Sequence, residues 1–174
     1  MRKIIFIFLI VAIASVGKGQ TNHRIHYTTT IGTGISMSEP SYTPFTWQVT
    51  GNYRLSERFS AGIGTGLSFY EETLIPVFAD LRFRLSRPHK FTPYLQGSIG
   101  YAFAPSAKAN GGYYLHPSIG VEYAIHQKVK LLLGIGYEIQ NLERLKEYEN
   151  GNYQIEFSEK LNHNTVSIKL GCIF

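Results

Sequence analysis

The sequence predicts an all-β protein: one eight-stranded, antiparallel, up-and-down transmembrane β-barrel, preceded by a cleaved signal peptide. Three observations predict it. Large apolar residues alternate with small or polar ones in eight separate segments, and no stretch after the first 19 residues shows a helical period. From Tyr27 to Ile139 the apolar set keeps to odd-numbered positions, so each connection preserves the face, as an antiparallel meander requires. The opposite set is glycine-rich, with Gly62, Gly64, Gly66, Gly100, Gly120, Gly134 and Gly136. Eight strands enclose a space only just wide enough for modest side chains, so the small face lines the lumen and the bulky face points outward, where only lipid accommodates it.

The chain opens with "MRK", continues with the apolar run "IIFIFLIVAIASV" and then reads "GKGQ". A short positive start, an apolar core too short to span a bilayer and small residues at Gly17 and Gly19 predict a secretory signal over 1–19. Residues 20–174 then form a single barrel domain. With Arg2, Lys3 and Lys18 removed, 17 basic residues fall to 14 against 12 acidic, a net of +2, so the high isoelectric point does not point to nucleic acid. Cys172 is the sole cysteine and has no internal disulfide partner, which excludes a cystine-stapled secreted scaffold.

The first strand is "YTTTIGTGISM", with Tyr27, Thr29, Ile31, Thr33, Ile35 and Met37 on one face. The second, "FTWQVTGNYRL", aligns Phe45, Trp47, Val49, Tyr53 and Leu55. The third, "FSAGIGTGLSF", repeats the pattern, and the fourth, "IPVFADLRFRL", sets Ile75 to Leu85 against Phe78, Asp80, Arg82 and Arg84. Three more are centred on Leu95–Phe103, Tyr113–Ile125 and Val129–Ile139. The closing strand moves the apolar set to even positions: Val166, Ile168, Leu170, Cys172 and Phe174.

That change of parity follows from a hairpin. Asn150-Gly151 in "YENGNY" is a strong two-residue turn signal. A turn there pairs Glu149 with Asn152 and Tyr148 with Tyr153, and it extends to Ile135 with Val166, Leu133 with Ile168 and Leu131 with Leu170. Ladder partners share a face, so the parity must switch.

Aromatic residues sort by height. One rim collects Tyr53, Phe59, Phe83, Phe91, Tyr123 and Phe174; the other collects Phe45, Trp47, Phe69, Tyr101, Phe103, Tyr113 and Tyr137. Two aromatic girdles around an aliphatic band are the profile of an outer-membrane barrel.

The signal, the eight alternating segments, the short turns "SER", "SRPHK" and "HQK", and the terminal "VSIKLGCIF" together resemble the small outer-membrane β-barrel proteins, similar to the OmpX type and the OmpA membrane domain. The resemblance implies a Gram-negative outer membrane, contact with its lipids and lipopolysaccharide, and a barrel-assembly machinery that reads Phe174 in the last strand. It includes adhesins, structural proteins and a few lipid enzymes, so fold alone does not assign a role.

Several charged residues take inward phase: Arg54, Asp80, Arg82, Arg84, Glu122, Lys130, Glu138 and Lys169, with Tyr94, Gln96, Tyr114 and His116. In a narrow lumen such charges must pair, and a salt-bridge plug is the expected result. The sequence leaves the basic partner of Glu138 open. His116-Pro117-Ser118, with Glu122 on the same strand, resembles the His-x-Ser pair and Glu of lipid A deacylases. There the pair faces lipid, whereas here it faces inward, and Ile119 stands where that motif has Asn.

The connection from 140 to 160 carries Tyr148, Tyr153, Ile155 and Phe157 in alternation, with Glu143, Glu147, Glu149, Glu156 and Glu159 for solubility. It predicts a ribbon above the membrane whose edge could receive a surface partner. The reading is therefore a monomeric, non-enzymatic envelope barrel without cofactor or metal. Its rivals are a lipid-modifying enzyme and a barrel that passes small apolar ligands sideways into the membrane.

Overall fold

The structure, a computed structural model, describes residues 24–38, 43–70, 73–105, 109–126, 129–150 and 153–174, and gives the backbone alone at Ala109, 143–150 and 153–161. The signal peptide and the 19/20 boundary lie outside the described residues. The strands are β1 (Ile25–Ser36), β2 (Phe45–Arg54), β3 (Phe59–Phe69), β4 (Thr73–Arg84), β5 (Phe91–Phe103), β6 (Ala109–Asn110), β7 (Gly112–Ala124), β8 (Lys130–Asn150) and β9 (Tyr153–Ile173). β6 is a two-residue addition to the edge of β8. The other eight are staves, each antiparallel to its neighbours, and β9 pairs with both β8 and β1, which closes the barrel.

The stagger of the closed sheet can be read from its registers. Stepping from Tyr27 through Gly51, Ile63, Ala79, Ile99, Leu115, Ile139 and Asn164 returns to β1 beside Met37, ten residues further on. A shear of that size in eight strands corresponds to a tilt of roughly 40° and an interior that side chains can fill.

The alternation resolves as the sequence implies. Ile31, Ile63, Val77, Leu81, Ile99, Ile119, Leu133 and Ile168 stand exposed on the outside, while the buried residues are mostly polar: Thr28, Asn52, Asp80, Arg82, Arg84, Glu122, Glu138 and Lys169. This inverts a soluble core, and the energetics hold only against hydrocarbon. Girdle aromatics pair across strands, Phe91 with Tyr123 at 4.8 Å between ring centroids and Phe45 with Phe69 at 6.2 Å.

Glycine on the inner face makes room for rings that cross the lumen. A Cβ at Gly64 would lie 2.6 Å from the ring of Phe78, and one at Gly134 would lie 2.8 Å from the hydroxyl of Tyr94. The ladder between β7 and β8 omits rungs at His116 and Pro117, since proline offers no N–H to a central strand.

The hairpin between β8 and β9 forms with the expected parity but a different register. Its ladder pairs Asn150 with Tyr153, Tyr148 with Ile155, Ile135 with Ile168, Leu133 with Leu170 and Leu131 with Cys172. Glu149 pairs with Gln154, not Asn152, and Tyr148 does not oppose Tyr153. The two residues between the paired strands are therefore Gly151-Asn152; their turn conformation lies outside the described residues. A shift of two preserves every face, so alternation could not detect it. The deciding constraint is closure, because β9 must also meet β1 with Leu170 opposite Ile31.

Phe174 ends that seam. Its N–H donates to the carbonyl of Tyr27 at 2.9 Å, and the N–H of Tyr27 donates to the carbonyl of Phe174 at 2.8 Å. Deleting Phe174 is expected to lower the outer-membrane level of heat-modifiable barrel far more than deleting Pro105 from the loop after β5. Equal levels of the two truncated proteins would show that the ending is incidental to assembly.

Candidate functional site

Charge enters the lumen because strands put every second side chain there, and β4, β7, β8 and β9 carry ionisable residues in that phase. At the end of the barrel bearing the short turns, Glu122 of β7 is the hub. Its carboxylate accepts Nε of Arg84 at 3.0 Å and Nζ of Lys130 at 3.1 Å, and Nη1 of Arg82 lies 3.6 Å away. Arg82 and Arg84 are 1% exposed, whereas Lys130 reaches the mouth at 17%. Arg54, at the end of β2, meets no carboxylate at ion-pair distance among the described residues.

Asp80 forms a second layer through hydrogen bonds alone. Its Oδ1 accepts Nε2 of Gln96 at 2.7 Å and Oγ of Ser98 at 2.8 Å. Gln96 in turn accepts from Arg82 at 3.1 Å, and the Arg82 guanidinium lies 5.1 Å from the Tyr94 ring centroid.

Glu138 finds its base on β9. Nζ of Lys169 lies 2.7 Å from its carboxylate and also donates to Oε1 of Gln48 at 3.0 Å and the Tyr114 hydroxyl at 3.4 Å. Tyr70 donates to Glu138 at 3.0 Å, and Gln48 donates to Tyr114 at 2.9 Å. Beyond this layer the lumen is sealed by Leu74, Phe78, Ala102, Tyr114 and Leu142. That apolar plug is what residue-by-residue reading missed. Phe78 has inward phase in the sequence, but Leu74 precedes the alternating run of the fourth strand and Leu142 falls in the 140–160 connection, beyond the Val129–Ile139 run that the pattern marks, although β8 continues through it.

The deacylase-like trio is not assembled as a relay. His116, Ser118 and Glu122 all sit on the inner face of β7, as phase implied. The ring Nε2 of His116 lies 3.0 Å from Oγ of Ser167, not of Ser118, and Glu122 is engaged with Arg84 and Lys130. His116 and Ser118 line a cavity of about 20 Å³ between the two charge networks, space for about one water. Among the described residues no three His, Cys, Asp or Glu are grouped to hold a metal ion, and Cys172 is free.

The ribbon residues Tyr148, Tyr153, Ile155 and Phe157 take their places by backbone pairing, Phe157 opposite Lys146 and Ile155 opposite Tyr148. Their side chains lie outside the described residues.

No protein-family model and no curated protein matches this chain. Among solved structures it is similar to Neisserial surface protein A, with 14% identity, 84% of this chain and 95% of that one covered, and a TM-score of 0.52. It is also similar to the outer membrane protein AlkL, at 10% identity, 90% and 92% coverage and a TM-score of 0.56. The outer membrane enzyme PagL matches at 10% identity, 83% and 97% coverage and a TM-score of 0.55. At these identities the likeness shows the fold, that of the small outer-membrane β-barrels, and this chain has it.

Proposed function

We propose that this protein is a resident of the Gram-negative outer membrane that contributes to envelope structure and makes surface contacts through the β8–β9 ribbon, without catalysing a reaction. One observation carries the reading: the inward carboxylates and His116 are engaged by other inward side chains. Glu122 and Glu138 hold their cations, His116 is turned to Ser167, and the far end is plugged by apolar residues. A lumen engaged in that way provides neither a pore nor a nucleophile facing lipid. What remains available is the exterior band for lipid and the ribbon, whose pairing runs unbroken to Asn150 and Tyr153. Its outer strand edges could take a further strand from a partner.

In this reading the outer-membrane phospholipids and lipopolysaccharide solvate a monomeric barrel, and the assembly machinery recognises the strand that ends in Phe174. Lipid A from a host expressing the protein tests the non-enzymatic part. Its mass is expected to be the same with wild type, His116→Ala and Ser118→Ala. A mass shift produced by the wild type and abolished by both substitutions would establish a lipid-modifying enzyme instead.

A further inference from the structure

The turn end of the lumen holds more positive charge than its carboxylates neutralise. Arg54, Arg82, Arg84 and Lys130 enter it, against Glu122 and the hydrogen-bonded Asp80. Uncompensated charge in a confined, low-dielectric space is expensive, and it is normally offset by a bound counter-ion or by water.

The polar groups left over are contiguous on the wall formed by β2, β3 and β4. Among the described residues, Nε of Arg54, Nη1 of Arg84, Oγ of Ser60 and Nδ2 of Asn52 have no hydrogen-bond partner. Ser60 stands opposite both Arg54 and Arg82 in the ladder, and Asn52 stands opposite Gly62, over which its own side chain packs. Ser60, Asn52 and Arg84 are at most 1% exposed, so these groups have been removed from bulk water without a protein partner. Arg54, at the end of β2, is half-buried and is the most exposed of the four.

We propose that this wall binds an oxyanion of the phosphate class, with Arg54 and Arg84 as the charged donors and Ser60 and Asn52 as neutral ones. Guanidinium groups donate in a planar fork that matches phosphate oxygens, and hydroxyl and amide donors complete the shell. Glu122 does not forbid the anion, because it faces three cations, Arg82, Arg84 and Lys130, and a single carboxylate cannot neutralise all three. The source is either free inorganic phosphate or a phospholipid headgroup reaching the same mouth.

The full barrel in phosphatidylcholine nanodiscs, titrated calorimetrically with inorganic phosphate at an ionic strength fixed by chloride, tests this. Saturable binding is expected, weakened about tenfold or more in Arg54→Gln, the loss of one charged hydrogen-bond donor. Arg87→Gln, on an exposed turn where Arg87 lies 4.0 Å from Glu57, is expected to bind like wild type. Heat-modifiable migration verifies that each variant is folded, and among the described residues Arg54 has no ion pair whose loss would prevent it. Competition by short-chain phosphatidylglycerol distinguishes the sources: displacement at lower concentration than phosphate assigns the headgroup, and weaker displacement assigns the free ion. Absence of saturable binding by both probes, or binding unchanged in Arg54→Gln, would show that water alone fills the site and would overturn the proposal.

Discussion

Glu122→Leu is expected to lower the unfolding free energy by about 3–5 kcal/mol, the range for removing one member of a buried charge cluster. The substitution leaves Arg84 and Arg82 charged and buried, with Gln96 accepting from Arg82 and the carboxylate of Asp80 held behind Gln96 rather than at ion-pair distance among the described residues. Lys130 can turn into the mouth, so the penalty falls on the two arginines. Glu122→Gln should lose less, because its amide oxygen still accepts from Arg84. Urea unfolding of the reconstituted barrel, followed by tryptophan fluorescence, measures both. A midpoint unchanged in Glu122→Leu would mean that water already solvates these arginines.

Glu138→Leu is expected to cost about 3 kcal/mol, near the low end of the same range. Lys169 loses the carboxylate at 2.7 Å but retains Gln48 and the Tyr114 hydroxyl. Adding Lys169→Met should recover most of the loss, since removing both charges of a buried pair is often neutral or better. The two networks are also expected to act independently. Glu122 stands opposite Leu132, and Glu138 lies six residues further along β8, roughly 20 Å at strand rise. The combined Glu122→Leu and Glu138→Leu loss should then equal the sum within about 0.5 kcal/mol. Little change in Glu138→Leu would indicate a wet interior, and solute passage would become the better account of the lumen.

The sequence by itself determined the barrel and the side on which nearly every residue lies. A strand's faces alternate by local stereochemistry, so the positions of Ile63, Leu81, Arg82 and Glu122 relative to the wall follow from counting alone. The girdles were legible for the same reason, because height follows from distance to the turns. Tertiary structure alone decided who meets whom across the lumen. Lys169 joins Gln48, 121 residues away, and Arg84 joins Glu122 over 38 residues. Such pairings depend on barrel stagger, which sums eight registers and leaves no trace in any one strand. The β8–β9 register illustrates the limit, since Asn150-Gly151 and Gly151-Asn152 both suit a tight turn and both preserve parity. The choice between them fell to the closing seam with β1, where one set of hydrogen bonds must satisfy both edges at once.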